Sequence, residues 1–178
     1  MSYYGADAEY ALHTVLNLAR AEDAIAPSAR DLADFQKLPL AFVRKLLTRL
    51  EKAGLVTATE GYRGGWRLAK QPGDISVLDV VKALKDNDPL FECREIRARC
   101  ELWTDGKPPS TAVSGVCEIH AVMLSAEARM QQELDRHSIG DLLGRLNNKT
   151  TRASGQAVQA WFDQRYDARK SSGKGKPT

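Results

Sequence analysis

The chain has 178 residues, of which 43% are hydrophobic and 28% are charged. This size and apolar content are enough to bury a core, and the interspersed charges leave no apolar run long enough to span a membrane. The net charge of +3 allows contact with nucleic acid without requiring it. The first seven residues lack the basic and then apolar pattern of a signal peptide, so we expect the protein in the cytoplasm.

The chain contains three cysteines, Cys93, Cys100 and Cys117. An odd number in a reducing compartment argues against a disulfide framework and favours thiolate ligation or redox chemistry. A structural zinc site is a poor match, because the sequence has neither a Cys-x-x-Cys pair nor a paired-histidine motif. The cysteines are therefore candidate ligands of a transition metal or an iron–sulfur cluster.

The first strong periodicity predicts a helix over residues 7–20, with apolar residues at three- and four-residue spacing. Glu9 and His13 lie four residues apart on the flank of its apolar stripe. A carboxylate and an imidazole separated by one helical turn can bind the same metal ion. The same spacing is also typical of a solvated surface pair, so the residues alone leave both interpretations open.

Two short helices joined by a tight turn are predicted next. Ser28 is a good N-cap for the first, and the second is expected over residues 40–53 with Gly54 just beyond its end. Two helices of this kind, the second with an apolar inner face and a basic outer face, are typical of a helix-turn-helix that binds DNA. The candidate DNA-contacting residues on the outer face are Ala41, Phe42, Arg44, Lys45, Thr48 and Arg49.

A β-hairpin is predicted directly after the helix-turn-helix. Residues 55–59 and 66–69 have the composition of strands, and a glycine-rich tip joins them. In this position a hairpin is typical of the wing of a winged helix, and Arg63 at its tip is a candidate for a minor-groove contact, because that groove attracts guanidinium groups. An ordinary exposed hairpin with a solvated arginine is the alternative.

The remaining sequence alternates between helix and loop. Ser76 is the expected N-cap of a helix that ends near Leu84, and residues 90–116 are expected to be mostly loop. A long helix is predicted from residue 116 or 117 to about residue 136, and its apolar face has no obvious partner within so small a domain, which makes it a candidate dimerisation helix. That face comprises Ile119, Val122, Met123, Ala126, Met130 and Leu134. Shorter helices are expected over residues 138–143 and 156–168, followed by a solvated basic tail.

Three segments carry a resemblance to a known family. Residues 46–56, 64–69 and 75–81 resemble the Rrf-type winged-helix regulators, which include the IscR, NsrR and RsrR repressors, and the similarity extends over about residues 9–146. The resemblance implies a homodimer that binds a palindromic operator in double-stranded DNA. It also implies a [2Fe–2S] cluster near the dimer interface that controls DNA affinity.

The resemblance implies two competing sets of cluster ligands. In the RsrR-like set, Glu9 and His13 come from one subunit, and Cys100 and Cys117 come from the other. The IscR-like set is Cys93, Cys100, Cys117 and His120. We favour the first set, because one helical turn presents Glu9 and His13 together while the cysteine spacing departs from the three-cysteine pattern. Cys93 is then a packed thiol and His120 an exposed or interfacial residue.

The sequence as a whole predicts a mainly α-helical chain with a small β-wing, that is, a winged helix-turn-helix followed by a long dimerisation helix. We expect residues 1–86 to form the DNA-binding domain and residues 87–116 the cluster-binding loop. Residues 117–146 are then the dimerisation helices, and residues 147–178 a C-terminal extension with a basic, disordered tail.

The expected function is transcriptional regulation, most simply repression, controlled by a cluster that senses redox state, nitric oxide or the supply of iron or clusters. The alternative is a winged-helix regulator without a cluster that senses thiols or metabolites. An enzyme is not expected, since the sequence contains no phosphate-binding glycine loop, no G-x-S-x-G motif and no metalloprotease helix.

Overall fold

The computed structural model describes residues 4–21, 26–61, 64–85, 89–99, 101–103, 107–149 and 152–172. The chain divides into two compact units, the first comprising Met1–Asp86 with Leu134–Thr178 and the second Asn87–Glu133. The helices of the described residues are α1 Ala6–Arg20, α2 Ala29–Gln36, α3 Leu40–Lys52, α4 Val77–Leu84, α5 Ser110–Val113, α6 Glu118–Asp135, α7 Ile139–Lys149 and α8 Arg152–Ser172. The strands are β1 Val56–Thr59 and β2 Gly65–Leu68.

The helix-turn-helix is defined by local signals at the ends of α2 and α3. The Ser28 hydroxyl accepts a hydrogen bond from the Asp31 N–H at 3.1 Å, and the Asp31 carboxylate accepts one from the Ser28 N–H at 2.9 Å. This reciprocal capping fixes the start of α2. Lys37 ends α2 with a φ of 54°, and Gly54 follows α3 with a φ of 69°. Both residues adopt the left-handed conformation that turns the chain away from a helix axis.

The wing is an antiparallel hairpin, and the first residues of its second strand are held against the segment before α2. β1 pairs with β2 so that Ala58 lies opposite Trp66. The Trp66 N–H donates to the Pro27 carbonyl at 2.8 Å. A Cβ atom on Gly65 would lie 2.1 Å from the Ala26 carbonyl oxygen, so this close approach requires glycine.

The buried core of the first unit is formed by helices from both of its chain segments. α1 packs on α3, α4 and α7, and α4 starts with the same type of cap as α2, formed here by Ser76 and Asp79. The largest fully buried hydrophobic side chains are Phe162, Leu32, Leu47, Leu50, Ile75 and Ile139. Because Phe162 belongs to α8, the C-terminal helix is part of this core.

The second unit has a different character. It contains a single turn of 3₁₀ helix at Ile96–Arg99, the short helix α5 and most of α6. None of its described residues is buried. Its exposed large hydrophobic side chains are Ile96, Leu102, Val116, Ile119, Val122 and Leu124.

The predicted fold class is confirmed, since the chain is mostly helical with one small two-stranded sheet. Two helices are longer than predicted. α7 continues to Lys149, and α8 spans Arg152–Ser172, so residues 169–172 are helical where a solvated tail was expected. Packing of α8 within the first unit explains this extension, because tertiary contacts stabilise helices that local sequence supports weakly. No helix of the described residues is long and apolar enough to cross a membrane.

Candidate DNA-binding and cluster-binding sites

The basic outer face of α3 is accessible. Ala41, Arg44, Lys45 and Thr48 are exposed, and Arg49 is half-buried. The opposite face enters the core through the side chains of Val43, Leu46, Leu47 and Leu50. This division leaves Arg44 and Lys45 exposed on the outer face of the helix that the sequence assigned to the major groove. Arg63, the predicted wing contact, lies outside the described residues.

Phe42 lies differently from its predicted position on the outer face. Its ring is half-buried and meets the Tyr10 ring edge-to-face, with a centroid distance of 5.7 Å and an angle of 88°. Periodicity along α3 could not show this, because the neighbouring α1 covers that flank of the helix. Phe42 thus joins α3 to α1 at Tyr10, the residue next to Glu9.

Glu9 and His13 are both exposed on α1 and line the same groove of the first unit, a depression with a volume of about 540 Å³. The groove is otherwise lined mostly by apolar residues, among them Leu12, Val77 and Val81. The structure therefore has Glu9 and His13 close together on one helical turn, as predicted. Both side chains are accessible to a ligand or to a second molecule.

Two of the three cysteines also lie together. Cys93 and Cys117 are half-buried free thiols in the second unit and line one cavity of about 240 Å³. The His120 ring lies 5.9 Å from the Phe91 ring, which lines the same cavity. Like Cys117, Cys100 belongs to both predicted ligand sets. It lies outside the described residues.

An arginine and a glutamate organise the loop between these cysteines, and sequence analysis missed both. Arg97 donates to the Glu95 carboxylate at 2.6 and 2.9 Å and to the Gly115 carbonyl at 3.1 Å. The Trp103 indole donates to the Arg97 carbonyl at 3.0 Å. Arg97 therefore ties the loop that carries Cys93 to the residues just before Cys117. A Glu-x-Arg pair between two cysteines was the available signal.

The same ion pair dominates the electrostatics beside the cavity. The hydrogen bond from Arg97 lowers the pKa of Glu95, and the same bond raises the pKa of Arg97. The negative charge of Glu95 contributes further to the raised pKa of Arg97.

The structure thus brings the candidate ligands together in pairs. Glu9 lies with His13 in the first unit, and Cys93 lies with Cys117 in the second. Among the residues that the structure describes, no three His, Cys, Asp or Glu side chains stand together in a way that could hold a metal ion. Carboxylate, imidazole and thiolate are nevertheless donor types that fit iron–sulfur and other transition-metal centres.

The chain is similar to known proteins over most of its length. A family model described as "Rrf2: Iron-dependent Transcriptional regulator" matches residues 4–145. The HTH-type transcriptional regulator NsrR of Shouchella clausii is 29% identical over 145 residues, an alignment that covers 82% of this chain and 89% of NsrR.

Two solved structures share the fold. The structure of T. potens IscR has a TM-score of 0.62 at 20% identity and covers 83% of this chain and 90% of its own. CymR, described as the global cysteine regulator of B. subtilis, has a TM-score of 0.59 at 22% identity and covers 82% of this chain and 98% of its own.

These relatives are transcriptional regulators rather than enzymes, as the sequence predicted. The family model spans the winged helix, the cysteine-containing second unit and most of α7. The chain therefore belongs to the Rrf2 family of winged-helix transcriptional regulators.

Proposed function

We propose that this chain is a homodimeric repressor that binds a palindromic operator in double-stranded DNA and whose affinity is controlled by a [2Fe–2S] cluster. The observation that carries the proposal is the distribution of the candidate ligands. Glu9 and His13 line an open groove of the first unit, and Cys117 lines a cavity of the second. A [2Fe–2S] cluster needs more ligands than the Glu9–His13 pair alone or the Cys93–Cys117 pair alone supplies.

The proposed dimer forms through α6. Ile119 and Val122 on the predicted dimerisation face are 65% and 66% exposed, and the second unit has no buried side chain among its described residues. Exposed apolar surface of this kind usually marks an interaction site. The same helix of a second copy is the simplest cover, because a two-fold interface pairs a surface with itself.

In the proposed dimer, Glu9 and His13 of one subunit combine with Cys100 and Cys117 of the partner subunit. The alternative set of Cys93, Cys100, Cys117 and His120 lies within one subunit. The exposure of both Glu9 and His13 on a single groove supports the crossing arrangement, because a partner's thiolates can then reach them. The cavity shared by Cys93 and Cys117 supports the alternative.

The donor set also indicates how the site can respond. A cluster held partly by imidazole and carboxylate changes charge at a higher potential than one held by thiolates alone. Redox state, nitric oxide and the supply of iron or clusters are the proposed signals, and the iron-dependent description of the family supports an iron centre. Tyr10 follows Glu9 on α1 and contacts Phe42 of α3, so a displacement of α1 acts directly on the recognition helix.

The test is spectroscopic. Protein purified without oxygen is expected to show visible absorption, a Mössbauer spectrum with two inequivalent irons, and equal amounts of iron and sulfide. DNA affinity is then measured before and after removal of the cluster by a chelator and oxidant. Colourless protein that lacks iron and still binds DNA tightly would contradict the proposal.

A cluster-free thiol regulator is the second candidate, because two free thiols line one cavity beside Arg97. This candidate predicts colourless anaerobic protein whose DNA affinity changes with peroxide and recovers with dithiothreitol. Cys93→Ser would remove that response, whereas the cluster proposal with the crossing ligand set predicts that Cys93→Ser leaves the visible spectrum unchanged.

A further inference from the structure

The C-terminal helix α8 lies beyond the residues that match the family model, which end at 145, yet it packs on the helix-turn-helix. The Phe35 ring of α2 lies 5.1 Å from the Trp161 ring and 5.0 Å from the Phe162 ring. Phe162 is only 2% exposed. This packing makes α8 a component of the DNA-binding unit.

Two arginines of α8 converge on one buried carboxylate. The Asp31 side chain is 5% exposed, and it accepts from Arg165 at 3.3 Å and pairs with Arg169 at 3.2 Å. Arg165 also forms a close ion pair with Asp34. Asp31 is at the same time the capping residue that binds Ser28 at the start of α2. A buried carboxylate requires such partners, because an unpaired charge in the interior is strongly unfavourable.

Arg169 also reaches the wing. One guanidinium nitrogen donates to the Gly64 carbonyl at 2.9 Å, and another donates to the Ala26 carbonyl at 2.9 Å. Gly64 directly precedes β2, and Ala26 lies beside Gly65 in the close approach described above. Arg169 therefore joins the hairpin, the segment before α2 and the cap of α2 through a single planar group.

We propose that Arg169, supported by Arg165, is a positioning residue for DNA binding, which fixes the wing on the helix-turn-helix so that wing and recognition helix engage one duplex together. Its side chain is 25% exposed, and its two terminal nitrogens contact Asp31, Gly64 and Ala26, so its effect is exerted through the wing. The planar fork suits this role, since it donates in several fixed directions at once. The inference rests on DNA binding by the winged helix and is independent of the cluster.

The experiment uses the full chain and a duplex that the wild-type protein selects from a random-sequence library. Arg169→Gln is compared with Arg169→Lys, which keeps the charge but loses the fork, and with Gln164→Ala at an exposed position of α8. Lys149→Gln, which removes one exposed charge of α7, controls for net charge. Affinity, hydroxyl-radical footprints and thermal unfolding are measured on each.

Arg169→Gln is expected to weaken binding about tenfold and to lose the footprint where the wing lies, while the protection by α3 remains. Arg169→Lys is expected to fold as the wild type and to show a smaller change of the same kind, and both controls are expected to match the wild type. A lower unfolding temperature with wild-type affinity and footprint, in either Arg169 variant, would overturn the inference. A wild-type chain that selects no duplex would overturn this inference together with the proposed DNA binding.

Discussion

All the buried hydrophobic side chains of the described residues lie in the first unit, whereas the large apolar side chains that are exposed lie in the second. The first unit closes its own core with helices from both ends of the chain. The second presents α6 and a loop held by Arg97 without burying any described residue. Burial of apolar area is the main source of folding free energy, so the two regions differ in how their structure is stabilised.

This difference separates two roles. A region with a complete core can hold a recognition helix and a wing in fixed positions. A region that lacks one depends on additional contacts, which a second subunit or a bound cluster can supply. Regulation by assembly or by a ligand is therefore expected to act through the second unit, and DNA contact through the first.

The difference in packing between the two units is tested most strongly by a leucine-to-alanine substitution in each unit. Leu47→Ala removes a fully buried side chain of α3 and is expected to lower the free energy of unfolding by about 2–5 kcal/mol. Leu102→Ala acts at a side chain that is 77% exposed and is expected to change it by less than about 0.5 kcal/mol. Urea unfolding of the two variants measures both, and equal effects would show that the second unit is as well packed as the first.

Assembly is tested on α6. Val122→Glu combined with Met130→Glu places charge on the predicted dimerisation face and is expected to give monomers or insoluble protein, because unpaired charge in an apolar interface is strongly unfavourable. Ala128→Glu, on the opposite side of the helix, is the control and should leave the dimer intact. Light scattering after size exclusion reports the mass, and a soluble double variant of unchanged mass would remove α6 from the interface.

The ligand choice tests whether the two units cooperate across subunits. His13→Ala is expected to bleach or shift the visible spectrum, while Cys93→Ala and His120→Ala leave it nearly unchanged, because ligation requires the crossing set. The IscR-like set predicts the reverse. Within the set of Glu9, His13, Cys100 and Cys117, a mixed dimer of His13→Ala and Cys117→Ala subunits retains one complete site if the ligands cross the interface and none if they do not. The IscR-like set also keeps one complete site in this dimer, so the single variants identify the ligand set and the iron content of the mixed dimer then tests the crossing.

DNA binding is assigned to the first unit alone. Lys45→Ala combined with Arg49→Ala is expected to weaken DNA binding about tenfold or more. It is also expected to reduce the slope of log affinity against log salt by about two, because each lost phosphate contact reduces the number of counterions released on binding. Lys107→Ala in the second unit is the control and should leave the slope as it is. A double variant with unchanged affinity and slope would exclude α3 from the interface.

The smallest effect concerns an exposed cap. The backbone N–H and the hydroxyl of Ser138 donate to Asp141 and lower the pKa of its carboxyl. A lowered pKa in the folded state means that the stabilisation is present above the ordinary pKa and is lost as the pH falls through the folded value. The Asp141→Asn variant is therefore expected to be slightly less stable than the wild type at neutral pH, and this difference is expected to disappear in acid. Thermal unfolding of both proteins across that pH range measures it.

Local signals in the sequence were sufficient for the elements of the winged helix. Ser28 and Ser76 were readable as N-caps, and Gly54 as a helix end, because a cap joins residues within one turn. The reciprocal bonds of Asp31 and Asp79 were not predicted. The proximity of Glu9 and His13 followed for the same reason, since helical spacing alone places them together. The glycine-rich tip of the hairpin also predicted the wing.

Contacts between distant segments could only be decided by the tertiary structure. The ring of Phe42 turns to Tyr10, Arg169 reaches Gly64 across more than half of the chain, and Arg97 joins the two cysteine segments. Periodicity describes which face of one helix is apolar, but it does not identify the neighbour that covers that face. The sequence therefore indicated where the capped helices begin and which residues are candidates for binding DNA or metal, and packing determined which of them are held together.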